Sequence, residues 1–146
     1  MNIRRIERVD FKAWLPLWKD YVAYHDVTLP DAVTQSVWAR LHDPDIDLFG
    51  LVAVDGADIV YGFAHYVIHQ NTWNDSSICY LEDMGVAMDR RGGGTGRAMI
   101  EYLATLAREQ GWGRLYWHAK QDNAPARRLY DTVANLSDYV RYDYRF

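Results

Sequence analysis

Apolar residues recur at helical spacing twice near the start of the chain: Phe11, Trp14, Leu15, Trp18, Tyr21 and Val22, then Val33, Val37 and Leu41 behind Pro30-Asp31. Each set forms one stripe of a 3.6-residue repeat, which predicts two amphipathic helices after a short first strand around Ile3 to Ile6. The period then changes. Leu48 to Val54 and Ile59 to Ile68 are apolar or aromatic runs separated by Asp55-Gly56-Ala57-Asp58, a hairpin pattern. A third run, Ile78 to Val86, follows the polar loop Gln70 to Asp75, so three antiparallel strands are expected. Met99, Ile100, Leu103, Leu106 and Ala107 then make a helical stripe that stops at Gly111, a residue suited to a left-handed C-cap. Leu115 to Ala119 reads as a short buried strand, and Asn123 as the cap of a helix carrying Ala126, Leu129, Tyr130 and Val133. Val140, Tyr142, Tyr144 and Phe146 alternate with Arg141, Asp143 and Arg145, which predicts a final strand. The sum is an α+β chain with a mixed, mostly antiparallel central sheet flanked by helices.

At 146 residues with no internal repeat or linker-like stretch, residues 1–146 are read as one domain. A chain that is 49% hydrophobic and 25% charged packs as a globule. The net charge of −4 and the lack of a basic block argue against nucleic acid or an anionic membrane as partner, and leave room for a small cation. The single cysteine, Cys79, forms no internal disulfide, no apolar run reaches the ~18 residues of a membrane span, and no apolar segment follows Arg4 and Arg5 as in a signal peptide. A cytoplasmic location is the expectation. His65 and His69 lie four apart on a predicted strand, a separation of ~13 Å, so no metal site is expected there. Cys79 reads as a buried small residue, and His118 as a histidine at a strand edge.

The most informative segment is Arg91-Gly92-Gly93-Gly94-Thr95-Gly96-Arg97, set between a predicted strand and a predicted helix. Glycines there let successive main-chain N–H groups turn inward, and the helix adds its unpaired N-terminal donors and dipole. This is an anion cradle suited to a pyrophosphate. The loop lacks the Gly-Lys-Ser/Thr ending of a P-loop and the third glycine of a dinucleotide fingerprint.

Arg91-x-x-Gly94-x-Gly96 resembles the Arg/Gln-x-x-Gly-x-Gly/Ala signature of the GNAT superfamily of acyl-CoA-dependent N-acetyltransferases. The likeness extends through Leu81-Glu82-Asp83-Met84-Gly85-Val86 before the loop and Asn123-x-x-Ala126-x-x-Leu129-Tyr130 after it. Order and spacing are similar to those of polyamine acetyltransferases and the histone-acetyltransferase-like branch. The resemblance implies a sheet whose strands splay into an acyl-CoA cleft, with acetyl-CoA as the acyl-donor cosubstrate and no metal. It implies that Met84, Gly85 and Val86 pair by backbone with the pantetheine arm. Arg91 and the amides of Gly92, Gly93, Gly94, Thr95, Gly96 and Arg97 would hold the pyrophosphate, and Asn123 and Ala126 would line the arm's other side. At ~100° per residue Asn123, Ala126 and Tyr130 also share one helix face, which supports the grouping independently.

A thioester is already activated, so the remaining tasks are to supply a free amine, hold the developing oxyanion and protonate the leaving thiolate. A lysine-like amine with pKa ~10.4 is neutral in about one molecule in a few thousand at pH 7, a penalty of roughly 4 to 5 kcal/mol. Glu82 is the candidate for ordering the acceptor ammonium and taking its proton, and Tyr130 is the candidate general acid. Asp83 faces the opposite side if the strand is regular, so either acid meets the substrate unless a bulge turns both. A main-chain N–H near Met84 or Gly85 is the candidate oxyanion donor. Tyr24, in Tyr24-His25-Asp26 after the first helix, is a candidate wall of the acceptor pocket, whereas Trp14, Trp18, Trp38 and Tyr21 read as core.

The expected function is acetyl transfer from acetyl-CoA to a primary amine of a small, cationic acceptor: a polyamine, a lysine-like amino acid or a basic peptide. The alternative is a non-catalytic CoA-binding or regulatory module that keeps the cradle without an acceptor site. Two departures from the family pattern stand out. The Gly-Phe that usually opens the last strands is replaced by Val133-Ala134-Asn135-Leu136-Ser137-Asp138-Tyr139, and Gly93 stands where a long polar side chain is common. The aromatic final strand points to self-association as a homodimer.

Overall fold

The computed structural model describes all residues from Met1 to Phe146. Its sheet has five strands in sequential order: β1 (Asn2–Arg5), β2 (Leu48–Val54), β3 (Val60–His69), β4 (Ile78–Val86) and β5 (Arg114–Trp117). The first four pair antiparallel, and β5 joins β4 in parallel through a helical crossover. The helices are α1 (Phe11–Tyr24), α2 (Asp31–Arg40), α3 (Thr95–Gln110) and α4 (Ala124–Tyr130).

The sheet is buried on both faces, which explains why its central strands read as continuous apolar runs rather than alternating ones. In β2, Val52 and Val54 pack with Trp14, Trp18, Val37 and Phe63 beneath α1 and α2. Leu51 and Ala53 pack on the other face with Tyr66, Leu81, Met99 and Leu103 beneath α3. Fully burying each such aliphatic or aromatic side chain contributes roughly 1.5 to 3 kcal/mol. The entry into α1 is fixed by charge: Arg4 donates to both oxygens of Asp10 at 2.8 and 2.9 Å, and Asp10 also accepts from the Glu7 N–H at 2.8 Å. In the β2–β3 turn, Asp55 Oδ1 accepts from Ala57 N and Ile59 N, as the hairpin pattern requires. Gly111 closes α3 at φ +70°.

The expected last strand does not form. Beyond α4 the chain has no regular structure, and Tyr139, Val140, Tyr142 and Tyr144 are exposed. Alternation of apolar and charged residues suits a strand only when a neighbouring edge accepts its main chain. β5 is four residues long, and the side-chain pairings within the tail are local, Arg141 to Asp143 at 2.7 Å and the ring of Tyr144 to that of Phe146 with centroids 5.3 Å apart.

Candidate active site

β4 outlasts its neighbour. Pairing with β5 runs only from Ile78 opposite Arg114 to Leu81 opposite Trp117, while β4 continues along β3 to Val86. From Glu82 to Val86 one edge of β4 is therefore open, and an extended ligand can pair with such an edge by main-chain hydrogen bonds. Met84, Gly85 and Val86 occupy this edge. Gly85 sits under the Phe63 ring, where a Cβ would come within 2.6 Å of Cε1.

The loop that follows is built for an anion. Arg91 Nε donates to the Val86 carbonyl at 3.0 Å and ties the loop to the end of β4. Gly92 and Gly94 have φ of +80° and +84°, a region that side chains rarely adopt. No protein acceptor takes the main-chain N–H groups from Gly92 through Arg97, which gather at the N-terminus of the 16-residue α3. Free donors and the helix dipole together favour negative charge, so the residues present fit a diphosphate. A Cβ on Gly96 would lie 3.1 Å from Leu129 Cδ2 and 3.5 Å from Met84 Cε, so the missing side chain lets β4, α3 and α4 converge. The Arg97 side chain is engaged elsewhere, with Glu101 at 3.5 Å and Thr132 Oγ1 at 2.6 Å.

Across the opening stands α4. Asn123 Oδ1 accepts from Ala126 N at 3.3 Å, capping the helix as its position predicts. Tyr130 closes α4 with its ring edge-on to Trp117, centroids 5.4 Å apart. Burial pushes its phenol above the usual tyrosine range, so it stays protonated at neutral pH.

The acid pair is placed by a bulge. Tyr66 pairs with Leu81 but His65 pairs with Asp83, leaving Glu82 as the extra residue in β4. The consequence is that Glu82 and Asp83 both line one pocket of about 410 Å³, walled by Trp18, Leu29, Val37, Ile46 and Val67. Partial burial, followed by the charge of Asp83, pushes the Glu82 carboxyl above the ordinary range. Asp83 is anchored from behind. Trp14 Nε1–H donates to His65 Nε2 at 3.0 Å, which leaves the proton on Nδ1 to be donated to Asp83 Oδ2 at 3.0 Å. Both Trp14 and His65 are fully buried, so this order of donors is enclosed. Tyr21 completes the cluster; burial and then Asp83 push its phenol up, and Tyr130 lies within electrostatic reach of it.

Sequence reasoning placed Tyr21, Trp14 and His65 in the core or set them aside, because their contacts join α1 to β3 and β4 across long separations. Arg40, which lines the same pocket, was also missed. Tyr24 is half exposed and packs edge-on to His25, which in turn packs on Tyr21 with centroids 4.7 Å apart; Tyr24 is not among the residues lining the 410 Å³ cavity. Cys79 is buried and free, and burial pushes its thiol up to about 12. His118 is exposed beside the Tyr80 hydroxyl at 3.3 Å. A further cavity of about 450 Å³, between β1 and α3, touches none of these groups.

Residues 10–133 match the acetyltransferase (GNAT) family. The chain belongs to that family. It is 35% identical over 142 residues to a D-amino-acid N-acetyltransferase of Saccharomyces cerevisiae, covering 96% of this chain and 88% of that protein. It is also 38% identical over 92 residues to a streptothricin acetyltransferase of Streptomyces lavendulae, covering 63% of this chain and 46% of that protein. Among solved structures, the ribosomal-protein-alanine N-acetyltransferase of Brucella melitensis superposes over 100% of both chains with a TM-score of 0.83 at 24% identity, a likeness of fold. This GNAT chain is an acetyl-CoA-dependent N-acetyltransferase. No helix in it is long and apolar enough to cross a membrane.

Proposed function

We propose that this GNAT enzyme acetylates the primary amine of a small acceptor whose ammonium enters the pocket of Glu82 and Asp83, by direct attack in a ternary complex. The observation that carries this reading is the β4 bulge, which turns two adjacent carboxylates onto one cavity beside the open edge of the strand. Acetyl-CoA supplies an activated thioester. The loop from Arg91 to Arg97 holds its diphosphate, Met84 to Val86 pair with its arm, and Asn123 and Ala126 line the other side. Asp83 holds the ammonium before attack and Glu82 takes one of its protons to free the lone pair; the second proton leaves the nitrogen as the amide forms and, through water, restores the one that Tyr130 gives up. As the nitrogen–carbon bond forms and the carbon–sulfur bond breaks, Tyr130 delivers its proton to the sulfur. A main-chain N–H near Met84 or Gly85 faces the charge on the carbonyl oxygen.

Polyamines, lysine-like amino acids and basic peptides carry the ammonium this pocket asks for, as expected of the polyamine and histone-acetyltransferase-like branch. The D-amino-acid and streptothricin acetyltransferases among its relatives widen the range to free amino acids and to streptothricin. Following free thiol from acetyl-CoA with a panel of these acceptors is the direct test. We expect release with at least one; none with any member, despite CoA binding, overturns the reading.

We also propose that the enzyme works in the reducing cytoplasm as a homodimer, joined through residues 137–146. Val140, Tyr142, Tyr144 and Phe146 lie open along this tail, a run of exposed apolar side chains that favours contact with another protein surface. Light scattering is expected to report a dimer for the full chain and a monomer after truncation at Ser137. A monomeric full chain refutes it.

A further inference from the structure

The pocket holds one cation that the protein leaves unpaired. Arg40, the last residue of α2, lines the same cavity as Glu82 and Asp83. Its Nε donates to the Ser36 carbonyl at 3.4 Å, one turn back along the helix, and its guanidinium enters none of the protein's ion pairs. Arg4, Arg90, Arg97 and Arg141 have carboxylate partners within 4 Å; Arg40 shares its freedom with the remaining arginines, and what sets it apart is its place on the wall of a cavity lined by acids. The carboxylates are at hand: Asp47, Glu82 and Asp83 all line the cavity with Arg40.

A free guanidinium beside an ammonium site works against a purely cationic acceptor. It suits a molecule that carries its own carboxylate next to its amine, because the planar fork of arginine binds a carboxylate through two parallel N–H donors. Apart from His65, whose two ring nitrogens are taken by Trp14 and Asp83, the rest of the wall is apolar: Trp18, Leu29, Val37, Ile46 and Val67 offer no hydrogen-bonding group to a polar side chain, apart from the indole N–H that Trp18 gives to Thr34. Charge and wall together describe one class of ligand.

We infer that the acceptor is a free α-amino acid with an apolar side chain, its carboxylate held by Arg40 and its ammonium by Glu82 and Asp83. This rests on the reading of the pocket as the acceptor site and narrows it: a polyamine or an amine lacking a carboxylate would leave Arg40 without its partner. Arg40 is a specificity residue here and takes no part in the proton transfers.

The test compares both enantiomers of phenylalanine with phenylalaninamide and phenethylamine, which keep the ring and amine and lose the negative charge. In the wild type, kcat/KM for at least one phenylalanine enantiomer is expected to exceed that for the amide at least tenfold. Arg40→Gln is expected to erase that ratio through a higher KM for the acid with little change in kcat, and Arg40→Lys to restore part of it. Arg108→Gln, an exposed arginine on α3 remote from the pocket, controls for loss of one charge and keeps the ratio. Equal or better use of the amide by the wild type, or a ratio unmoved in Arg40→Gln, overturns the inference while leaving acetyl transfer at this pocket intact. No turnover of any compound here or in the wider panel removes the acceptor-site reading as well.

Discussion

Tyr130→Phe is expected to lower kcat about 10²- to 10³-fold while CoA affinity stays within about twofold. The ring is held by its edge-on contact with Trp117, a contact that phenylalanine keeps, so the substitution removes little beyond the hydroxyl. Before reaction the sulfur of a thioester carries no charge for that hydroxyl to stabilise. Its work begins as the carbon–sulfur bond breaks and the sulfur becomes basic, so the loss falls on the chemical step and spares binding. Burial raises the phenol, keeping its proton in place at neutral pH; the direction fits an acid and opposes a base. A thiol with pKa near 8.5 is a tolerable leaving group unaided, which limits the loss. Single-turnover kinetics with calorimetric CoA titration separates the two quantities. An unchanged kcat, or a loss confined to CoA affinity, removes Tyr130 from the acid role.

The local parts of this site could be read from the sequence because each depends on residues close together in the chain. Gly92 and Gly94 mark the left-handed turns of the loop, Asn123 caps its own helix, and Asp55 organises the hairpin beside it. The bulge was not readable. A strand written as Leu81-Glu82-Asp83-Met84 sends the two acids to opposite sides until β3 forces an extra residue, and that depends on how His65 meets Asp83. His65 reads from the sequence only as a histidine too far from His69 to share a metal, until Trp14, 51 positions away, supplies the donor that fixes its tautomer. Arg40 gave no pattern, because nothing within α2 shows that its last residue ends beside Glu82 and Asp83 of β4. The tail misled for the opposite reason: Val140, Tyr142, Tyr144 and Phe146 satisfy strand periodicity, and no edge in the chain receives them.

Glu82→Gln carries the second large effect. With the amine's proton acceptor removed, kcat/KM is expected to fall about 10²-fold at neutral pH. The wild-type profile should lose activity on acidification at a midpoint above the ordinary glutamate value of ~4.3, since burial and then Asp83 raise the Glu82 carboxyl, and a protonated Glu82 takes no proton. Asp83→Asn should shift that limb to lower pH by removing one cause of the rise. The amide oxygen can still accept from His65 Nδ1–H, so the anchor survives. The rise with pH that belongs to the substrate amine moves when the acceptor is changed, whereas the Glu82 limb stays in place. Stability runs the other way. A carboxyl raised in the folded state binds protons more tightly there than in the unfolded chain, so ionising it costs stability as pH rises through the folded value. Glu82→Gln should therefore raise Tm at pH 7 and leave it unchanged below about pH 4, where both states are protonated. Lower activity with higher Tm marks Glu82 as a group strained for its role, whereas equal losses in both would make it a structural residue.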